Sequence, residues 1–210
     1  MNRFLTLAYL IPLLTATARG ETFVVNTNIT ADDPDDHLLD LWEAIELANE
    51  APGPDTITFT EDLSGTVITP YYARFDITED LSIDAADLSR ALVIEGRCQF
   101  WADRGNLNLI NLVVRNGRTY STADHPAQGG GISFESSGTL TLTDCLVSGN
   151  GASQGRRCNQ FGGIGGHPCH PAALGGGIYT SSGSIHLINS TVAGNWARSG
   201  GGIYSKSGNI

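Results

Sequence analysis

The sequence predicts an all-β protein, a right-handed single-stranded parallel β-helix stacked as a solenoid, with an amphipathic helix capping its amino-terminal end. Three observations carry this expectation. First, GTLTLTDCLVSGNGA at 138–152 aligns without gaps on GSIHLINSTVAGNWA at 183–197, and a weaker copy, GNLNLINLVVRNG, begins at Gly105. Self-similarity at a fixed period is the signature of a repeat architecture. Second, GGGI recurs at 129–132, 175–178 and 200–203, and removing the 21 residues 153–173 from the longer interval makes both intervals 25 residues. A unit of that length holds about three short strands with their turns, and no helical pattern of about ten residues falls inside it. Third, 26 glycines and only 16% charged residues suit closely spaced turns rather than a helical bundle or a charged, disordered chain.

Taken in order, residues 1–20 place Arg3 before an apolar run from Phe4 to Leu14 and then small residues at Ala16 and Ala18, the pattern of a secretory signal peptide. The run is too short to span a membrane. Secretion, or display at the outer cell surface, is the expected location. Cleavage after Gly20 would leave 22 acidic and 10 basic residues, a net charge of −12, which disfavours nucleic acid as a partner. The charge is uneven. Residues 21–103 carry 19 acidic and 3 basic groups, whereas 104–210 carry 3 acidic and 7 basic ones. The organisation read from this is a signal peptide (1–20), a cap with irregular first coils (21–104), and a GGGI-repeat body (105–210) whose last residues, Gly208-Asn209-Ile210, begin another coil and make the repeat look truncated.

In the acidic segment, Asp32, Asp33, Asp35 and Asp36 form a candidate Ca²⁺ site, set against a solvated loop because the spacing matches no EF-hand. Residues 37–49 place Leu38, Leu41, Trp42, Ile45 and Ala48 on one helical stripe, with Asp35 and Asp36 suited to its start and Asn49 to its end. A solenoid leaves the core of its first coil open, and this helix is expected to cover it. DTITF (55–59), LSIDA (81–85) and ALVIEG (91–96) read as strands.

In the repeat body, Leu107, Leu140 and Ile185 are expected in one interior column, with Leu109, Leu142 and Leu187 in a second. Asn111, Asp144 and Asn189 follow in register. Asn and Asp tolerate left-handed backbone angles, so they predict the sharp turn of each coil, with side chains able to bond along the stack. The Gly triplets are read as structural bends rather than phosphate cradles, since no Lys-Ser/Thr follows them.

Three stretches occupy one slot in successive coils: RTYSTADHPAQ (118–128), the insertion 153–174 and the short Trp196-Ala197-Arg198-Ser199. Excursions at equivalent positions leave a solenoid on the same side. Arg118, Tyr120, Arg156, Arg157, Trp196 and Arg198 would then line one flank, where aromatic rings and guanidinium groups suit sugar rings and uronate or sulfate groups. The insertion also holds Cys158 and Cys169, a candidate disulfide in an exported chain, with Cys98 and Cys145 either paired or buried. Cys158, His167, Cys169 and His170 fit no standard zinc spacing, so no metal site is assigned.

The order of signal peptide, TFVVNTN, an EAIELAN helix, PGPDTITF, LSIDA and GGGI repeats with SGN or AGN closings resembles the polymorphic outer-membrane-protein repeats and, more broadly, the CSLREA-type secreted β-helix proteins. Two departures stand out: Leu39-Asp40-Leu41-Trp42-Glu43-Ala44-Ile45 lacks the Cys and Arg of that motif, and Val147 and Val192 replace the Phe of the polymorphic repeat. The resemblance implies a surface repeat protein with a structural or adhesive role, whose partner is an extracellular glycan or a host or cell-surface protein. Catalysis is the lesser expectation. Hydrolases of this fold resemble one another in a set of aspartates on neighbouring coils, and the only aspartates of the repeat body are Asp124 and Asp144, which make no convincing pair for glycoside hydrolysis. A pectate-lyase-like enzyme, which needs only a base and a cationic partner, is the alternative.

Overall fold

The structure is a computed structural model that describes residues 19–29, 38–69, 74–96, 100–122, 125–154 and 172–210. Strand β1 (Thr22–Val25) precedes the helix α1 (Leu41–Glu50), and five repeats of strands follow. The first repeat has β2 (Asp55–Phe59), β3 (Val67–Ile68) and β4 (Phe75–Ile77), and the second β5 (Leu81–Asp84), β6 (Leu92–Glu95) and β7 (Phe100–Ala102). The third has β8 (Leu107–Ile110), β9 (Leu112–Arg115), β10 (Arg118–Ser121), β11 (Ala127–Gln128) and β12 (Ile132–Phe134). The fourth has β13 (Thr139–Thr143), β14 (Leu146–Ser148), β15 (Gly151–Gln154), β16 (Ala173–Leu174) and β17 (Ile178–Thr180), and the fifth β18 (Ser184–Ile188), β19 (Thr191–Ala193) and β20 (Ile203–Ser205).

Corresponding strands of successive repeats pair in parallel. They build a sheet of order β1-β2-β5-β8-β13-β18, two of order β3-β6-β9-β14-β19 and β4-β7-β12-β17-β20, and two small pairs, β10-β15 and β11-β16. This all-β arrangement of parallel sheets with one helix is consistent with a parallel solenoid. Leu81, Leu107, Leu140 and Ile185 are in direct register and buried, as the alternation predicted for the last three. Across the interior, Phe75 and Phe100 stack with ring centroids 5.1 Å apart. The registers Asp55↔Leu81, Leu81↔Leu107, Leu107↔Leu140 and Leu140↔Ile185 span 26, 26, 33 and 45 residues. The longer repeats take up their extra residues between β9 and β12 and between β14 and β17, so the three large sheets keep their register.

The helix begins four residues later than its apolar stripe suggests. Asp40 is the N-cap: its carboxylate accepts from the backbone N–H of Trp42 and Glu43 at 2.7 and 2.9 Å, while Glu43 accepts from the Asp40 N–H at 3.0 Å. This reciprocal box satisfies donors that would otherwise be stranded at the first turn, and so fixes the start. Leu38 consequently lies outside the helix and is exposed, whereas Leu41, Ala44, Ile45 and Ala48 are buried and Trp42 is partly buried. The helix packs on β1, β2 and β4. Asn49 ties its end down by donating to the Asp76 carbonyl at 2.8 Å and accepting from the Thr78 N–H at 3.0 Å. Asp35 and Asp36, read as suited to the helix start, lie outside the described residues.

Two turns that carry Asn or Asp mark each later repeat. At the first, Asn111, Asp144 and Asn189 have φ of 56°, 55° and 49°, the left-handed conformation expected of this column. Asn189 donates to Asp144, and Asn111 donates to the Ala85 carbonyl at 2.8 Å. At the second turn the left-handed residues are Asn116, Gly149 and Gly194, and each of the last two is followed by an inward asparagine, Asn150 or Asn195. Asn150 is fully buried; its amide accepts from the Gly117 N–H at 2.8 Å and donates to the Val114 carbonyl at 3.0 Å. Asn195 repeats the pattern one layer on, accepting from the Asn150 N–H at 2.9 Å and donating to the Val147 carbonyl at 2.8 Å. These amides replace backbone pairing where the chain turns, which a buried turn requires.

The Gly triplets fit against the second column. Gly129 has φ of 55°, which few residues adopt, and a Cβ on Gly131 would lie 2.9 Å from the Asn150 amide carbon. The triplet is therefore a bend followed by a close approach to a buried amide.

Candidate functional site

Strand alternation sets the site. In β7, Phe100 and Ala102 face the core and Trp101 faces outward, directly in register with Asp76 on one side and Ser133 on the other. The same outward column continues through Tyr179 and Tyr204, whose rings stack at 5.9 Å and 6°. Residues 118–120 and 125–128 stand beside this column, and between the two lies a cavity of about 580 Å³. Its floor is Trp101, Ser133 and Glu135, and its walls include Arg74, Arg118, Tyr120, His125 and Gln128.

The floor is held in place by polar contacts. The Trp101 indole N–H donates to Glu135 at 3.1 Å, and the Arg74 guanidinium lies 4.3 Å from the Trp101 ring centroid while its Nε sits 2.5 Å from the Asp76 carboxylate. A second guanidinium–indole pair stands on the same flank: Arg118 lies over Trp196, 5.0 Å from the ring centroid. Such a stack is worth about 0.5–1 kcal/mol when exposed, and its main effect is to hold both planar groups in one orientation. Arg118 also reaches the Gly149 carbonyl at 3.4 Å. Burial first, and then the nearby Glu135 and Tyr204, push the Tyr179 phenol above its ordinary pKa, against a hydrogen bond with Gln128, so Tyr179 is neutral at physiological pH.

Of the six residues expected on a binding flank, the structure brings three together. Arg118 and Tyr120 line the cavity, and Trp196 stacks with Arg118 and bridges Gly151 across the layer. Arg198 is exposed and does not line the cavity. Arg156 and Arg157 lie outside the described residues, as do Cys158, Cys169, Cys98, His167, His170, Asp124 and the candidate Ca²⁺ residues Asp32, Asp33, Asp35 and Asp36. The shared slot itself is visible. Arg118↔Gly151 and Tyr120↔Ser153 are in register before the excursions, and Ala127↔Ala173 and Leu174↔Ser199 after them. Cys145 is a buried free thiol in contact with the Leu109 and Thr143 carbonyls at 3.3 Å, and burial raises its pKa, so it is an inert core residue.

Sequence reasoning missed Arg74, Trp101, His125, Gln128 and Glu135. A signal for the floor was present, because the residue after each GGGI, Ser133, Tyr179 or Tyr204, continues the outward column that Trp101 begins. Among the described residues, no group of three His, Cys, Asp or Glu side chains is placed to hold a metal, and no helix is long and apolar enough to cross a membrane. Among the described residues, Glu135 is the one carboxylate lining the cavity, where the usual glycoside hydrolysis uses two at a set separation. No family model, curated protein or solved structure matches the chain.

Proposed function

We propose that this chain is a right-handed, single-stranded parallel β-helix protein of the secreted or outer-cell-surface kind, with a structural or adhesive role exercised by holding acidic polysaccharide along one flank. Parallel strands joined in one sheet take right-handed connections almost without exception, and α1, buried against the first strands, would close the amino-terminal end of the core. The polymorphic outer-membrane-protein and CSLREA-type repeats are the group whose sequence order it resembles. The observation that carries the functional reading is the pair of guanidinium–indole stacks, Arg74 on Trp101 and Arg118 on Trp196, flanking a solvent-open cavity. Aromatic faces accept sugar rings, and an oriented guanidinium pairs with a carboxylate or sulfate through two parallel hydrogen bonds.

The test is a glycan array probed with the exported protein at two salt concentrations. Binding to uronate or sulfated glycans should weaken as the Debye length falls from about 10 Å at 0.1 M to about 3 Å at 1 M. Arg118→Ala should weaken it at least about tenfold, the loss of a bidentate charged contact. Absence of binding to every acidic glycan overturns the glycan reading and leaves a scaffold or protein-adhesion role. The second reading, a polysaccharide lyase, is favoured by His125 and Arg118 lining one cavity, a base and a cation. Steady growth of absorbance at the unsaturated-uronate band would establish it.

A further inference from the structure

Asp55 opens β2 at a position where the column of inward residues continues as Leu81, Leu107 and Leu140, so a carboxylate stands where an aliphatic side chain is the rule. It is 2% exposed. One oxygen, Oδ1, accepts from the backbone nitrogen of Glu21 at 2.6 Å, and the other, Oδ2, is buried without a hydrogen-bond partner. A buried ionised carboxylate with an unmet oxygen is costly unless a cation sits beside it. Among the described residues no Lys or Arg forms an ion pair with Asp55. The nitrogen it does hold belongs to the first residue after the predicted signal peptide.

We infer that Glu21 is the mature amino terminus, produced by cleavage of the Gly20–Glu21 bond during export, and that its α-ammonium is the counter-ion of Asp55. This rests on the secretion reading above. Ala18-Arg19-Gly20 places small residues one and three positions before the cut, the pattern an export endoprotease reads. Hydrolysis adds the hydroxyl of water to the Gly20 carbonyl carbon and its hydrogen to the Glu21 nitrogen, which takes up a further proton below an α-amine pKa of about 8. One amide N–H thereby becomes a cation with three donors, enough for both Asp55 oxygens. The contact is positioned by the sheet: the Thr56 N–H donates to the Glu21 carbonyl at 2.9 Å, and β1 then pairs with β2 from Thr22↔Thr56 onward. Leader removal is thus coupled to the closing of the first parallel strand pair.

The chemistry of the chain makes the test selective. Lys206, which is exposed, is the only lysine of this sequence, so cleavage of the 210-residue chain leaves two amines, the Glu21 α-amine and Lys206. The full chain is exported from a bacterial host, its first residue is determined, and the folded product is treated with an acetylating reagent near pH 7 with each site followed by mass spectrometry. An unpaired α-amine reacts ahead of lysine at that pH because its pKa is lower by more than two units. The expected result is the reverse order, with Glu21 slowed at least about tenfold relative to the same protein in urea, and restoration of the ordinary order in Asp55→Asn. If D55N does not fold, the wild-type comparison of folded with unfolded protein decides alone. Failure to export overturns the secretion reading. Export with a different first residue, or a Glu21 amine as reactive folded as unfolded, overturns the inference while leaving secretion standing.

Discussion

The two turn columns place asparagine at equivalent steps of successive layers for different physical reasons. In the first, Asn111, Asp144 and Asn189, the residue is suited to its backbone: φ near 55° is strained for most side chains, and the polar group remains partly or largely exposed. In the second, Asn150 and Asn195, the left-handed residue is the preceding glycine, and the asparagine supplies a side-chain amide that completes the hydrogen bonding of a buried turn. One column is set by conformation and the other by satisfaction of buried polar groups, so the same amino acid should respond differently to the same substitution.

The largest effect is expected at the buried column. Asn150→Ala strands the Gly117 N–H and the Val114 carbonyl in a buried turn, and should cost about 3 kcal/mol in urea unfolding, at roughly 1–3 kcal/mol per orphaned group. A loss below about 1 kcal/mol would break the distinction between the columns. Gly131→Ala attacks the same column from outside by driving a methyl group into the Asn150 amide and should cost about 2 kcal/mol, with thermal unfolding lowered by about 4–8 °C. Gly131→Ala combined with Asn150→Ala should cost less than the two single losses together, because removal of the amide opens the space. At the first column the expected changes are smaller. Asn111→Ala should cost about 1 kcal/mol and Asn111→Gly only a few tenths, since glycine keeps the backbone angle and loses just the partly exposed amide's contacts to the Ala85 and Leu88 carbonyls. The opposite order, with glycine worse than alanine, would show that the side chain and not φ is the determinant there.

The smallest effect concerns pH. Glu95 is held below the usual glutamate value of 4.5 by hydrogen bonds first from Arg115 and then from Asn116. A carboxylate with a lowered folded-state pKa contributes stability that is complete above the unfolded value and is lost as pH falls through the folded one. The difference in stability between the wild-type protein and Glu95→Gln should therefore shrink as pH drops from 6 to below 4, and stay constant from 6 to 8. Because the pair is solvent-accessible, raising the salt concentration should shrink it as well.

What the sequence displayed was whatever repeats locally. Alternation placed Leu107, Leu140 and Ile185 in one buried column, and the left-handed tolerance of Asn and Asp located the first turn. The strands at 55–59, 81–85 and 91–96 were legible for the same reason, needing only neighbours two residues away. Asn150 and Asn195 were visible only as the ends of S-G-N and A-G-N, because their partners, Val114 and Val147, lie 36 and 48 residues earlier and become neighbours only through stacking. The helix start was displaced because a stripe of apolar residues reports which face is buried, whereas the reciprocal contacts of Asp40 and Glu43 fix where the backbone turns. In the cavity, Arg118, Tyr120 and Trp196 were found through their common slot. Trp101 and Glu135 were not, because their contact joins residues 34 apart on adjacent layers, and Trp101 follows no GGGI.

Layers of 26, 26, 33 and 45 residues all return to the same register. Doubling the length of a closed loop costs only about 0.6 kcal/mol of chain entropy, so the slot between β10 and β11, or between β15 and β16, is a port at which sequence can be lengthened, exchanged or grafted with little penalty to folding. The flank that carries the cavity is for that reason the part of the molecule freest to diversify, under a scaffold whose columns hardly change.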